Sequence, residues 1–202
     1  MKLYYAPGAC SLSPHIALRE TGIPFELVKV DLRAKKTADG RDYITVNPKG
    51  SVPALELDNG QVLTEGPAIV QYIADLKPES NLAPKAGSME RYRLLEWLNY
   101  LTSEVHKTFS GAFAANMPEE GKKIHLGNLE KRLDYLSKNL EGKQFLMGDQ
   151  FTVADGYLFT MLGWTRFLNM DLNKWPTLAA FAGRCCMRPK VLEAMKAEGM
   201  GG

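Results

Sequence analysis

The chain has 202 residues, of which 45% are hydrophobic and 24% charged, and its formal net charge is +2. This length is sufficient for one large domain or two small ones without disulfides or metals to hold the core. The charge balance contains no long block of like charges, which argues against nucleic acid or a membrane surface as a partner. No stretch is long and apolar enough to span a bilayer, so a small, roughly neutral ligand is the better expectation.

The three cysteines indicate a reducing compartment. Their odd number argues against a disulfide framework, and the adjacent Cys185 and Cys186 have poor geometry for a mutual bridge within a helix. The chain does not open with a basic segment followed by the apolar run that directs secretion. We therefore expect a cytoplasmic protein in which Cys10 is the thiol of interest.

The first part of the chain alternates strand-like and helical runs. KLYYA, a helix from Ser11 to about Glu20, and FELVKVDL form a βαβ unit. After a connecting segment, two short strands flank the turn Asp58-Asn59-Gly60, and a helix opens at Gly66-Pro67. The order of elements is βαβ-α-ββα, in which the α between the hyphens stands for a helix in the connecting segment. This order predicts a mixed sheet of four strands with helices on its faces over residues 1–80.

The second part is predicted to be helical. Prolines and small residues near 78 to 88 mark a linker, placed at 81–87. Thr152 can cap a helix while the Asp155 carboxylate reaches back to the Thr152 amide, and two short helices begin at Trp175-Pro176 and Arg188-Pro189. Residues 88–202 therefore form an all-α domain. Apolar residues trace two further helix faces. The first is formed by Leu94, Leu95, Leu98, Leu101, Val105 and Phe109, and the second, at three-four spacing, by Leu126, Leu129, Leu133, Leu136 and Leu140.

Cys10 lies where the first strand ends and the first helix begins. Helix amides and the helix dipole would favour its thiolate, which lowers the expected pKa. The alternative is a structural cysteine that acts as a small apolar side chain. In the pattern C-x-x-S, Ser13 stands where a resolving thiol would lie in a redox pair. A disulfide of Cys10 would therefore form with a small thiol from outside the chain.

Two other stretches could bind an extended peptide and an amino-acid group. A cis bond before Pro53 would turn the Val52 backbone outward for pairing, although an ordinary trans edge proline is commoner. Glu65 beside a helix amino terminus could receive an ammonium while helix amides receive a carboxylate, or it could simply cap the helix.

Asn99, Ser103 and His106 form a polar stripe on a long helix, which is either cleft lining or solvated surface. With only three histidines and no spaced Cys/His pairs, the sequence favours no metal site.

These stretches, in this order, resemble the cytosolic glutathione transferases, and more closely their bacterial beta class. The resemblance rests on YYxPGACSLxPHIxLRE, NPKGxVPALxLDNG, LTEGPAIVQYIAD, ERYRLLEWLNYLTSEVHK and GDQFTVADGYLFT, which span nearly the whole chain. It implies an α/β thioredoxin-like amino-terminal domain, an all-α carboxy-terminal domain and a homodimer. It also implies an enzyme that conjugates reduced glutathione, a co-substrate rather than a bound cofactor, to small hydrophobic electrophiles in detoxification.

The resemblance implies roles for the candidates in the first domain. Val52 before cis-Pro53 would pair with the cysteinyl backbone of glutathione, and Lys35 would contact the glycyl carboxylate. Glu65 and Gly66 would hold the γ-glutamyl end. Many relatives have a serine where this chain has Gly66, so helix amides would carry more of the carboxylate binding.

It also implies roles in the second domain. Asn99, Ser103, Glu104, Val105 and His106 would border the glutathione site, with some contacts from the neighbouring subunit. Glu104 projects well off the Asn99 stripe on an ordinary α-helix, so its contact requires a bend or the partner. The hydrophobic co-substrate site would lie between the domains, lined by Phe109, Phe113 and Trp164.

The group that activates the glutathione thiol has several candidates. Most of the family uses a tyrosine of the first strand or a serine at the first helix, which are Tyr5 and Ser11 here, and the beta-class resemblance instead favours Cys10. His106 would help to hold the thiolate or move a proton. Two other functions stay open, a glutaredoxin-like thiol-disulfide oxidoreductase or peroxidase that works through a Cys10–glutathione disulfide, and a non-enzymatic protein that binds hydrophobic ligands.

Overall fold

The structure, a computed structural model, describes residues 1–200. The chain forms two units, one made of Met1–Ala83 together with the chain from Cys186 onward, and the other of Pro84–Cys185. The sequence-based division assigns everything after residue 88 to a single helical domain. The structure differs, because the chain after Cys186 returns to the first unit.

The first unit is built on a mixed sheet of five strands in the order β3-β2-β1-β4-β5. The central β1 (Lys2–Tyr5) pairs parallel with β2 (Glu26–Asp31) and antiparallel with β4 (Ala54–Glu56). The edges are β3 (Lys36–Thr37) and β5 (Val62–Thr64), both antiparallel to their neighbours. The predicted βαβ unit and hairpin are present, but the prediction of four strands is wrong, since β3 adds a fifth.

The short segment after β2 explains the missed strand. The Asp31 carboxylate accepts hydrogen bonds from the Arg33 and Ala34 amides at 2.8 and 2.9 Å, which reverses the chain onto β2. Two residues of strand are too few for an alternating pattern. The single helix expected in the connecting segment is one 3-10 turn, Tyr43–Thr45.

The two faces of the sheet carry different side chains, because successive residues of a strand point to opposite faces. On one face Tyr4 packs with Tyr43 and with a buried cluster that includes Val28, Val30 and Val52. The helices α1 (Leu12–Thr21) and α2 (Gly66–Leu76) pack against each other. Burying these apolar faces removes the largest side chains of the unit from water, which is the main driving force for its folding.

The second unit is helical throughout its regular elements. The two predicted apolar faces are buried, with Leu95 and Leu126 only half-buried at their margins. No helix within residues 1–200 is both long enough and apolar enough to cross a membrane. Its α- and π-helices in chain order are α3 (Met89–Tyr100), a π-helix (Leu101–His106), α4 (Lys107–Ala112), α5 (Glu119–Leu140), α6 (Val153–Leu162) and α7 (Pro176–Cys186), and two 3-10 helices, Gly163–Leu168 and Leu172–Lys174, lie between α6 and α7.

The predicted capping box at the start of α6 is present. The Asp155 carboxylate accepts hydrogen bonds from the Thr152 amide at 2.8 Å and from the Thr152 hydroxyl at 2.9 Å. Its other oxygen accepts from the Leu146 amide at 2.8 Å. Asp155 therefore joins the helix start to the preceding loop as well as capping the helix.

The last helix, α8 (Pro189–Ala197), packs against α1 in the first unit. Arg188 forms two hydrogen bonds to Glu20 at 2.7 and 2.9 Å. The buried Glu198 carboxylate accepts from the Gly8 amide at 2.9 Å and pairs with His15 at 2.8 Å. These polar contacts attach the end of the described chain to the turn that carries Cys10.

Candidate active site

The turn between β1 and α1 is closed by the hydroxyl of Ser11. This side chain is fully buried, donates to the Ala6 carbonyl and accepts from the Ala6 amide, both at 3.2 Å. Both functions of the hydroxyl are used within the turn. The Ser11 hydroxyl, a candidate activator of the glutathione thiol, is therefore engaged in holding the turn in which Cys10 lies.

The thiol of Cys10 is held against the loop that precedes Pro53. The Cys10 thiol donates a hydrogen bond to the Val52 carbonyl at 3.1 Å, and the Val52–Pro53 peptide is cis. The structure thus brings together three of the residues predicted for the glutathione site. The carbonyl of Val52 faces the thiol, which the sequence did not indicate.

Side chains hold three successive carbonyls of this loop. Lys35 donates to the Gly50 carbonyl at 2.7 Å, and Cys10 donates to that of Val52. Between them the Ser51 carbonyl accepts from the Tyr43 hydroxyl at 2.8 Å and from the Asn47 amide group at 2.7 Å. Lys35 is therefore seated beside the Val52 loop, where its ammonium is half-buried.

The electrostatic environment opposes the thiolate of Cys10. Burial raises the pKa of the Cys10 thiol to about 11, and the charge of Glu65 adds to the increase. Hydrogen bonding from the Cys10 and Ser11 amides lowers the pKa, but by less. The helix start thus lowers this pKa, but the predicted net decrease is wrong, because desolvation outweighs the helix amides.

Tyr5 lies on β1 and is almost completely buried. Its ring centroid is 6.3 Å from that of His15, on the side of the unit where Glu198 pairs with His15. Burial, with the nearby charge of Glu198, raises the pKa of the Tyr5 phenol. Tyr5 is thus protonated at neutral pH and can act only as a hydrogen-bond donor or acceptor.

Glu65 has a basic partner that the sequence analysis did not name. Its carboxylate lies 2.6 Å from the Lys49 ammonium, which also donates to the Thr64 hydroxyl at 2.9 Å. Glu65 adopts a φ of 70°, a conformation that is rare for residues other than glycine and is enriched at functional sites. Both charged side chains are more than half exposed and accessible to a ligand.

The amino terminus of α2 offers a ligand few amides. Pro67 has no amide hydrogen, and the Ala68 and Ile69 amides both donate to the Glu65 carbonyl at 3.0 Å. Of the first four residues, only Gly66 keeps an amide for another acceptor. The expectation that helix amides make up for the missing hydroxyl at Gly66 is corrected accordingly.

In the second unit, the predicted stripe lies on α3 and the π-helix. Asn99 and Ser103 are exposed, and the Ser103 hydroxyl donates to the Asn99 carbonyl at 3.0 Å. Glu104 forms an ion pair with Arg132 at 2.8 Å, and the Val105 side chain is fully buried. Val105, predicted to border the glutathione site, thus has its side chain in the core, so that only its backbone could border a ligand.

His106 ends the π-helix and has a defined partner. Its Nδ1 lies 2.7 Å from the Tyr157 hydroxyl, and its ring centroid is 4.9 Å from that of Trp164. Burial, and secondarily the charge of Lys107, lowers the pKa of the His106 imidazole. The ring is therefore neutral, and when the phenol donates to Nδ1, the imidazole proton lies on Nε2 and can be donated to another acceptor.

The three aromatic residues predicted for the co-substrate site form one cluster, but they differ in exposure. Phe113 stacks on Phe109 with centroids 5.9 Å apart, and Trp164 packs on its edge at 6.3 Å. Phe113 is 42% exposed and Trp164 keeps a small accessible edge, whereas Phe109 is fully buried. Phe109 therefore supports the other two rings from the core, which corrects its assignment as pocket lining.

Two partners of predicted site residues were missed, Lys49 in the first unit and Tyr157 in the second. Both lie inside stretches that carry the family resemblance, but no spacing rule links Lys49 to Glu65 or Tyr157 to His106. Their roles depend on contacts between distant parts of the chain. Among residues 1–200, no group of three or more histidine, cysteine, aspartate or glutamate side chains is suited to a metal ion.

Comparison with known proteins identifies relatives along the whole chain. The family model of the glutathione S-transferase N-terminal domain matches residues 8–76, and that of the C-terminal domain matches residues 98–189. Glutathione S-transferase GstA of Escherichia coli O157:H7 is 48% identical over 99% of this chain and 100% of its own length.

Two solved structures extend this likeness to the fold. The glutathione S-transferase of a sphingomonad, solved with glutathione, is 52% identical, with a TM-score of 0.96 and full coverage of both chains. The bacterial beta-class enzyme of Sphingomonas chungbukensis is 50% identical, with a TM-score of 0.97 and full coverage of both chains.

Proposed function

Because the chain belongs to the glutathione S-transferase family, with bacterial beta-class enzymes among its structural relatives, we propose that it conjugates glutathione to small hydrophobic electrophiles. The observation that carries the proposal is the contact between the Cys10 thiol and the Val52 carbonyl. This contact puts a sulfur donor at the strand edge on which the cysteinyl backbone of glutathione can pair. The sphingomonad relative, 52% identical, was solved with glutathione bound.

The reaction requires a glutathione thiolate. The sulfur attacks an electrophilic carbon of the co-substrate, a halide or comparable group leaves with its bonding electrons, and the thiol proton passes to solvent or a base. In this proposal the protonated Cys10 thiol donates a hydrogen bond to the glutathione thiolate, exchanging its Val52 partner for a charged one. Such a bond stabilises the anion without Cys10 itself ionising.

The remaining glutathione contacts follow the positions of the side chains. Glu65 receives the γ-glutamyl ammonium, Val52 pairs with the cysteinyl backbone, and Lys35 turns from the Gly50 carbonyl to the glycyl carboxylate. We also propose contacts from Asn99, Ser103, Glu104 and His106, some of them supplied by the partner in a homodimer, whereas the buried Val105 side chain takes no part. A mass of two chains in light scattering at micromolar concentration would support this assembly, and a single-chain mass would reject it.

Phe113 and Trp164 are proposed to contact the hydrophobic co-substrate. Phe113 presents the largest accessible aromatic face of the cluster, and Trp164 keeps an edge beside His106. With Nδ1 accepting from the Tyr157 phenol, the neutral imidazole can donate a hydrogen bond from Nε2 to the glutathione thiolate. The proposed location is the cytoplasm, in keeping with three free cysteines within the described residues.

The pKa of Cys10 bears on the alternative oxidoreductase function. A thiol with a pKa of about 11 is ionised in only about one molecule in ten thousand at neutral pH. Disulfide exchange through Cys10 needs that thiolate as nucleophile, whereas conjugation by hydrogen-bond donation does not. The environment of Cys10 therefore favours the transferase.

The test compares two reactions in the wild type and in Cys10→Ala and Cys10→Ser. We expect the wild type to conjugate glutathione to an activated aryl chloride, and Cys10→Ala to lose at least tenfold in kcat/KM. Cys10→Ser keeps a donor and should recover part of the rate. Full conjugation by Cys10→Ala would remove Cys10 from the mechanism. Tight ligand binding without turnover by the wild type would identify a binding protein instead.

A further inference from the structure

The Lys49–Glu65 ion pair lies at the position proposed for the γ-glutamyl end of glutathione. The Lys49 ammonium is 2.6 Å from Glu65 Oε1, and the side chains are 54% and 64% exposed. Because they are exposed, neither is committed to the core, and the flexible stem of Lys49 lets its ammonium move by bond rotation. The Lys49 backbone is fixed, since its amide donates to the Asn47 side chain at 3.1 Å.

This ion pair restricts the charges that a ligand of Glu65 can carry. A ligand that brings only an ammonium would place a second positive charge close to Lys49, and like charges at such distances repel. A ligand that brings an ammonium and a carboxylate on one carbon can satisfy both residues. The four charges then alternate in sign, with the carboxylate of the ligand against Lys49 and its ammonium against Glu65.

The start of α2 offers few donors of its own for a carboxylate. Gly66 has no hydroxyl, Pro67 has no amide hydrogen, and the amides of Ala68 and Ile69 donate to the carbonyl of Glu65. One amide cannot meet the hydrogen-bonding demand of a carboxylate, which has about four acceptor positions. Lys49 is the cation already in contact with Glu65.

We propose that Lys49 binds the α-carboxylate of the γ-glutamyl residue and, with Glu65, selects ligands that carry a zwitterionic α-amino-acid group. This inference rests on the proposed function, since it concerns the same glutathione site. Lys49 is a specificity-determining residue in this scheme and has no part in the chemical step. Replacing Lys49 should raise the KM for glutathione and leave kcat nearly unchanged, because the lost contact binds glutathione equally well in the ground state and the transition state.

The experiment measures ligand dissociation constants by titration calorimetry, which is independent of turnover. The ligands are glutathione and an analogue whose γ-glutamyl residue is replaced by an aminobutyryl group, which keeps the ammonium and lacks the α-carboxylate. The proteins are the wild type, Lys49→Met, Lys49→Gln and Lys49→Arg. Lys190→Met is the matched control, because Lys190 forms a similarly exposed pair with Glu193 at 2.8 Å.

We expect Lys49→Met and Lys49→Gln to weaken glutathione about tenfold or more and to change the analogue less than about twofold. Lys49→Arg should keep most of the affinity, and Lys190→Met should behave as the wild type. An equal loss for both ligands, or no loss for glutathione, would overturn the proposal. A wild type that binds glutathione without conjugating it would reject the proposed function alone, whereas a wild type that binds neither ligand would reject both.

Discussion

Replacing Asp155 by alanine should destabilise the second unit by about 2–4 kcal/mol at neutral pH. Its carboxylate is fully buried and accepts hydrogen bonds from the Leu146 and Thr152 amides and from the Thr152 hydroxyl. Alanine leaves two amides buried without an acceptor, at about 1–3 kcal/mol each. Part of this cost is offset because alanine also removes a buried negative charge.

The same charge gives the prediction a pH signature. Burial raises the pKa of Asp155 to about 6, above its ordinary value of 3.8, so the native protein binds a proton that the unfolded chain does not between these values. The stability from this group is present at low pH and is lost as the pH rises through about 6. The difference between wild type and Asp155→Ala should therefore grow by about 1 kcal/mol between about pH 7.5 and about pH 5.

Urea unfolding followed by tryptophan fluorescence is a suitable assay. All three tryptophans, Trp97, Trp164 and Trp175, lie in the same unit as Asp155, so the signal reports on that unit. Asp155→Asn is the control, because it cannot titrate and its stability difference from Asp155→Ala should not vary with pH. Parallel pH curves for wild type and Asp155→Ala, or an unchanged midpoint, would refute the reasoning.

Three further predictions concern the active site. Burial raises the pKa of the Cys10 thiol to about 11, so the rate at which iodoacetamide alkylates this thiol should rise about tenfold per pH unit above neutrality. The rate is measured by mass spectrometry on protein without glutathione, and a plateau below about pH 8 would contradict the prediction. Ser11→Ala should lower the free energy of unfolding by about 1–3 kcal/mol in thermal unfolding, because the Ala6 amide and carbonyl lose their partner. The variant should keep kcat within about twofold at a temperature where it stays folded. A large loss of kcat would restore Ser11 as an activator. Tyr157→Phe removes the Nδ1 partner of His106. The variant should therefore lower kcat about three- to tenfold, leave the KM for glutathione unchanged and shift the acidic limb of the pH–rate profile. An unchanged profile would count against a positioning role for Tyr157.

Local sequence patterns were sufficient for the features that depend on neighbours in the chain. The Thr152–Asp155 spacing predicted the capping box, and Asp58-Asn59-Gly60 predicted the hairpin, because in each case the interacting groups lie within a few residues. Strand β3 has no such signal, since two residues cannot show an alternating period. It exists because the Asp31 carboxylate holds the reversal that precedes it.

The properties of the site depended on contacts that no local pattern encodes. The sequence placed Cys10 at a helix start, where amides lower a thiol pKa, but the opposing desolvation comes from the packing around it. The pairing of His106 with Tyr157 joins residues far apart in the chain, as does that of Lys49 with Glu65. The π-helix at Leu101–His106 replaced the α-helical spacing on which the polar stripe was predicted.

The hydrogen bond between Gly8 and Glu198 has a consequence for biosynthesis. The two residues are 190 positions apart, and the carboxylate also pairs with His15 in the first helix. During translation, the strands and helices of residues 1–83 leave the ribosome long before Glu198 is made. The turn that carries the thiol thus receives its last polar contacts only after the whole helical unit has emerged. A chain interrupted within α8 would contain every predicted ligand of glutathione and still lack the Glu198 carboxylate that contacts Gly8 and His15.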